Sequence, residues 1–286
     1  MLPLVMEKVF FKTTKPTVII TGATGSVGSV LVPHLLANGH QVLIIGRNQP
    51  DSRNFPWAKH VKFFQADIFR GEFPKIVPDN YWLIHLAWEG LPNYHSLHHV
   101  EINLNGSYQF IKAALQWGIT KLLVAGTCFE YGLQNGELSA NSLLDPVCAY
   151  GIAKSQLHQQ LALLTAESSI KLQWARIFYL FSQSPTRNSL FHQISTALIN
   201  NDSEFNLTLG EQLRDYITIE SAALQLFNLL VTDNVGPFNI CSGNPISVRR
   251  LIEDYVASTG HKIKLNFGKI PYNAYEPLAF WGKPSS

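Results

Sequence analysis

Residues 17–28, TVIITGATGSVG, constrain this chain more than any other stretch: a β-branched apolar run ends on the glycine trio Gly22, Gly25 and Gly28, and helical spacing begins at once. Missing Cβ atoms let a backbone turn sharply there and approach a pyrophosphate. The following helix N-terminus offers that anion free N–H groups and partial positive charge. A tight turn with no ligand is the plainer alternative, and the rest of the chain bears on the choice. The helical stretch stops at Gly39, and QVLIIG (41–46), VKFFQAD (61–67), YWLIHLAW (81–88) and KLLVAGT (121–127) follow as nearly continuous apolar runs. Such runs are what parallel strands covered on both faces look like. Helical patterns lie at 100–118 and 149–169, and LQWARIFYLF (172–181) reads as a sixth strand.

This alternation predicts an α/β fold, a Rossmann-type doubly wound parallel sheet with right-handed crossovers. Residues 1–16 read as an N-terminal extension and 17–181 as a dinucleotide-binding domain. Residues 182–286, richer in Pro, Asn and Ser, read as a smaller C-terminal substrate-binding region. Helices are expected there near 188–200, 219–231 and 247–259. With 22 Lys+Arg against 20 Asp+Glu, the net charge of +2 leaves nothing to neutralise a nucleic-acid backbone. Cys128, Cys148 and Cys241 are odd in number and lack CxxC spacing, which fits a reducing compartment and neither a disulfide framework nor a zinc site. No apolar run reaches the roughly 18 residues of a membrane span. The expectation is a cytoplasmic protein with no nucleic-acid, membrane or metal partner.

In a dinucleotide site, an acid about 20 residues beyond the glycines would bind the adenosine ribose, whereas an arginine would accept a 2′-phosphate. Here the second strand ends IIGRNQPDSR, with Arg47 at that place and Asp51 only further into the loop. NADP(H) is therefore expected ahead of NAD(H), although Arg47 read alone is equally a solvated loop cation.

AYGIAK places Tyr150 and Lys154 four residues apart, on one helix face. A neighbouring ammonium is expected to lower the phenol's pKa toward the range useful in general acid–base catalysis. Thr127 stands where the fifth strand ends, the side of an α/β sheet at which ligands bind, and can donate to a substrate oxygen. Its plainer role is to satisfy local backbone.

At this point the order TGATGSVG, QADI, HLAW, GTCFEYG, AYGIAK and GEQLRDYI resembles the extended short-chain dehydrogenase/reductase family of nucleotide-sugar epimerases, dehydratases and 4-keto reductases. The resemblance spans about residues 17–245. It implies a catalytic trio of Thr127, Tyr150 and Lys154, with Lys154 also on the nicotinamide ribose. It further implies cofactor contacts from Gly22, Gly25, Ser26, Val27, Gly28, Arg47, Asp67, Ile68, Leu86, Ala87 and Asn103. Arg214 would meet the substrate's diphosphate, against a plainer pairing with Asp215 or Glu211, and the family's usual assembly implies a homodimer.

Family dehydratases carry an Asp-Glu pair where Cys128 and Phe129 stand, and neither side chain can eliminate and re-add water. Cys128 is one residue from the place an epimerising reductase would use, on the opposite strand face, and reads as a core thiol. Reduction of a 4-keto-6-deoxyhexose nucleotide remains, with a nucleotide-sugar 4-epimerase as alternative and a non-catalytic NADP-binding subunit as second alternative. In HLAWEGLPNYHSLHH, Trp88, Glu89, Asn93 and Tyr94 are expected at the sugar pocket, and His95, His98 and His99 at its rim. The aromatics of PYNAYEPLAFWG are expected to pack on the core. The family usually has Asn where Tyr179 sits, a contact for which Gln183 or Arg187 would substitute.

Overall fold

The structure, a computed structural model, describes residues 15–77, 79–181 and 190–285. Gln183 and Arg187 lie outside them. Strands β1 (Thr17–Thr21), β2 (Val42–Gly46), β3 (Lys62–Gln65), β4 (Tyr81–His85) and β5 (Ile119–Thr127) join Lys171–Ile177 and Gly236–Ile240 in a seven-stranded sheet. Its order is 236–240, 171–177, β5, β4, β1, β2, β3, and every pairing is parallel.

One face of this sheet is covered by α1 (Ser26–Ala37) and a helix at Ile219–Val231, through Leu31, Leu35, Ala222, Leu226 and Leu230. The other is covered by α2 (Asn105–Ala114) and α3 (Ala149–Thr165), through Phe110, Ile111, Leu157 and Leu161. Burial on both faces accounts for the unbroken apolar strands. Inside α1, Pro33 has no N–H for the Ser29 carbonyl; the Trp57 indole donates to that oxygen at 3.0 Å instead, so the helix passes through its proline with the acceptor satisfied.

Two elements differ from expectation. The stretch 172–181 is not one strand: Lys171–Ile177 lies in the main sheet, and after Phe178 the chain leaves it, so that Tyr179–Phe181 pairs with Leu213–Thr218 on the substrate side. The helix at 100–118 opens as a π turn over His99–Leu104, which places Asn103 under the loop after β4. Beyond residue 182, Gly236–Ile240 returns to the edge of the main sheet, while Leu190–Ile199 and Val248–Thr259 build a core of their own around Phe191, Ile194 and Ile252. Among the described residues no helix is long and apolar enough to cross a membrane.

Candidate active site

The turns after β1, β2, β4 and β5 gather at the C-terminal edge of the sheet. Gly22 has φ +73°, and a Cβ on it would lie 2.7 Å from the Ala87 nitrogen, so the first turn and the exit of β4 can meet only through glycine. A Cβ on Gly28 would stand 2.3 Å from the Gly22 carbonyl oxygen, which makes helix–strand contact equally dependent on glycine. Gly25 caps α1 with no side-chain hydrogen bond, and the first turn through Ser26 and Val27 carries no acidic residue. An uncapped helix start behind a turn with glycine at both ends, Gly22 and Gly25, suits the pyrophosphate of a dinucleotide, so the residues present fit a nicotinamide cofactor.

The other expected cofactor residues surround this cradle with their polar atoms largely engaged. Asp67 caps the turn Ile68–Arg70 by accepting from the Phe69 N–H at 3.1 Å, and Ile68 is buried. Leu86 and Ala87 line the exit of β4, where the Leu86 N–H donates to the Thr21 carbonyl at 3.2 Å. Asn103, wholly buried, uses its amide on both sides of Glu89, accepting from the Glu89 N–H at 3.1 Å and donating to the Glu89 carbonyl at 2.9 Å. It braces the loop, and its Nδ2 also lies 3.3 Å from His99 Nδ1. Arg47 is exposed and forms an ion pair with Glu89 at 2.5 Å, which joins the loop after β2 to the loop after β4. His98 shares that carboxylate, with 3.2 Å between Nε2 and Glu89 Oε2.

Tyr150 and Lys154, one turn apart on α3, both face the end of β5. The Tyr150 phenol stands beside the Thr127 hydroxyl, which acts to lower its pKa. Contrary to expectation the pKa is nonetheless raised: burial outweighs that neighbour. At neutral pH this group is a phenol with a proton to give. Lys154 does not point its charge at the ring. Its Nζ donates to the Ala125 carbonyl at 2.6 Å and lies 3.8 Å from the centre of the Trp88 ring. Burial pushes the ammonium down to about 7, with Glu130 acting in the opposite sense. Trp88 thus forms one wall of the site, edge-on to Tyr150 at 6.0 Å and donating its indole N–H to His99 Nδ1 at 3.1 Å. Phe129 and Tyr94, stacked at 4.5 Å, form the opposite wall.

Arg214 is 4% exposed and already engaged. Its Nη2 donates to Glu276 at 3.0 Å, its Nη1 to the Leu213 and Leu278 carbonyls, and the guanidinium lies against the Tyr179 and Phe280 rings. Its partner is neither Asp215 nor Glu211 but a carboxylate from the C-terminal segment, which the Tyr179 hydroxyl also reaches at 3.0 Å. That segment only partly packs as core: Phe280 is buried, while Tyr275 borders Tyr94 and His95. Cys128 is buried beside Tyr131, Phe178 and Cys241.

Several residues of the site had no role assigned from the sequence. His85 bridges Thr21 at 2.9 Å and Ser107 at 3.1 Å beneath the cofactor turn, kept neutral by burial with its pKa down to about 3. Glu130, Arg176 and Glu276 are the others, and no local spacing pairs them.

The profile of the NAD dependent epimerase/dehydratase family matches residues 18–241. The dTDP-6-deoxy-L-talose 4-dehydrogenase (NAD(+)) of Aggregatibacter actinomycetemcomitans is 34% identical over 271 residues, covering 93% of this chain and 98% of that protein. A UDP-glucose 4-epimerase of Lactobacillus helveticus is 23% identical, over 88% of this chain and 84% of that one. Among solved structures, the UDP-N-acetylglucosamine 4-epimerase of Methanobrevibacter ruminantium superposes with a TM-score of 0.79 at 20% identity, covering 96% of this chain and 91% of that one. With the glycine cradle, the parallel sheet and these matches together, the chain belongs to the NAD-dependent epimerase/dehydratase family of nicotinamide-dependent oxidoreductases acting on nucleotide sugars.

Proposed function

We propose that this protein reduces the C4 carbonyl of a 4-keto-6-deoxyhexose nucleotide with NADP(H). The observation that carries the proposal is the placement of Thr127 at the end of β5 beside Tyr150 of α3, with Lys154 one turn further along and the glycine cradle at the same sheet edge. Gly22, Gly25 and Gly28 would hold the pyrophosphate of the dinucleotide, whose reduced nicotinamide would supply the hydride for the carbonyl carbon. Tyr150 gives its proton to the carbonyl oxygen, which becomes the hydroxyl of a secondary alcohol. Thr127 donates to the same oxygen and holds it beside the phenol. To stabilise the phenolate left behind, Lys154 has to turn its ammonium from the Ala125 carbonyl toward Tyr150; its own proton remains in place below about pH 7.

Supporting the substrate class, the 34% identical relative bears the name of a 6-deoxyhexose nucleotide 4-dehydrogenase. The Phe129 ring beside Tyr150 offers the methyl carbon of such a sugar an apolar neighbour where a hydroxymethyl group would lose its hydrogen bonds. In this reading residues 17–181 hold the cofactor and 182–286 the nucleotide sugar, in a cytoplasmic homodimer. Arg47 supports the 2′-phosphate, which would have to draw it from Glu89.

Purified protein is tested with NADPH and NADH against a panel of 4-keto-6-deoxyhexose nucleotides. Consumption of NADPH with formation of the C4 alcohol is the expected result. Arg47→Ala raises KM for NADPH by about tenfold and leaves NADH alone, since a charge-assisted contact contributes about 1.5–3 kcal/mol. Equal use of both cofactors by the parent removes the NADP assignment. No consumption of either, with interconversion of UDP-sugars instead, makes the protein an epimerase.

A further inference from the structure

Glu130 lies immediately behind the active site and is wholly enclosed, with 0% exposure. Every group reaching its carboxylate is a donor. The Thr127 main-chain N–H meets Oε1 at 2.8 Å, the Trp174 indole N–H meets both oxygens at 3.0 Å, and Arg176 Nε meets Oε2 at 2.8 Å. An acceptor-only side chain is what such a setting requires, because an amide would oppose N–H to N–H. Strand β5 makes room for it with Gly126, whose added Cβ would lie 2.6 Å from Glu130 Oε1 and 2.3 Å from the Trp174 nitrogen.

A buried ion pair with Arg176 would be the plain account of this residue. Such pairs are weak devices for stability, since replacing both partners by apolar residues of similar volume is often neutral or stabilising. What the pair account omits is the link to Thr127. Thr127 caps the short turn Cys128–Tyr131 in a reciprocal capping box: its hydroxyl oxygen accepts from main-chain N–H groups of the turn, that of Phe129 at 3.3 Å, while the Glu130 carboxylate accepts from the Thr127 N–H. With its oxygen accepting from the turn, the hydroxyl has its proton left to donate elsewhere, and Tyr150 of α3 is its neighbour.

We propose that Glu130 is a positioning residue of the active site, which locks Thr127 into the capping box and thereby aims its hydroxyl at the Tyr150 oxygen and at the substrate oxygen that shares it. The proposal rests on the catalytic role given to Thr127 above. Arg176 keeps the carboxylate neutralised in its buried place and also donates to the Ala140 carbonyl at 2.7 Å.

The test removes the buried charges together, so that folding is preserved, and varies only the acceptor offered to Thr127. E130M/R176M carries no acceptor; E130Q/R176M restores one, the Gln amide oxygen. Both are expected to melt cooperatively, below the parent because buried donors of Thr127 and Trp174 lose acceptors, and to keep the parent affinity for the dinucleotide. In E130M/R176M kcat falls about 100-fold, the size of effect a misaimed catalytic group produces, and E130Q/R176M recovers most of that loss at similar Tm. A purely structural Glu130 would tie kcat to Tm, so parent turnover in E130M/R176M overturns the proposal, as does equal loss in both. Thr127→Val is measured alongside: parent turnover there removes the catalytic role of Thr127 itself, a different failure. Should no sugar nucleotide in the panel react, crystal structures of the two double variants decide. The Thr127 side chain is expected to leave its parent orientation in E130M/R176M and to keep it in E130Q/R176M, and an unchanged orientation in the former overturns the proposal.

Discussion

The two sides of this site are built from different materials. On the cofactor side, between β1, α1 and the exit of β4, the surface is backbone: glycines without side chains, an uncapped helix start, and an alanine pressed against the turn. On the substrate side it is buried side-chain charge, with Glu130–Arg176 behind Thr127 and Arg214–Glu276 beneath Tyr179. A backbone cradle suits an anion that every member of a fold class binds, because its N–H groups need only the local turn to aim them. Charged pairs suit a site that must differ among relatives, since each partner can change separately and the low dielectric makes each change count.

The largest expected effect tests whether chemistry belongs to the substrate side alone. Tyr150→Phe removes the proton donor and should lower kcat by about 100- to 10,000-fold. Dinucleotide affinity measured by fluorescence titration should stay at the parent value, and a parallel fall in affinity would merge the two sides. Next comes the cost of breaking a buried pair. Glu276→Gln leaves Arg214 with an uncompensated charge and should destabilise the fold by about 3–5 kcal/mol in a denaturant titration, whereas no change would mean that water already reaches this arginine. On the backbone side, Gly28→Ala pushes a methyl group against the Gly22 carbonyl. Overpacking of this kind costs about 1–3 kcal/mol and should weaken dinucleotide binding while kcat at saturating cofactor holds.

The last test concerns Lys154. Its ammonium is pushed down to about 7 in the fold, against 10.5 unperturbed. Between those values the unfolded chain binds more protons than the native one, so stability rises with pH across that window, and the contribution is lost as pH falls through about 7. The Tm of the parent should therefore climb more steeply with pH there than that of Lys154→Met; equal slopes would place water at this amine.

The sheet, the glycine turn and the Tyr150–Lys154 face were all legible before the structure, because each depends on residues within a few positions of one another. Helix Ile219–Val231 coincides with its expected span for the same reason. Local pattern failed where a contact spans the chain. Arg214 had Asp215 and Glu211 as neighbours, yet its carboxylate comes from Glu276, 62 residues on. The run at 172–181 reads as one strand because hydrophobic pattern carries no information about which sheet a strand joins, and Phe178 is where this chain changes sheets.

By itself, then, the sequence determined the doubly wound architecture and the end of the sheet at which chemistry takes place, since periodicity, glycine sterics and helix spacing act over one or two turns of chain. Only the tertiary structure decided the protonation and direction of the groups there. Tyr150 keeps its proton, Lys154 nearly loses its own, and Thr127 is aimed by a carboxylate behind it. Burial and long-range pairing set those properties, and both arise only when distant segments meet.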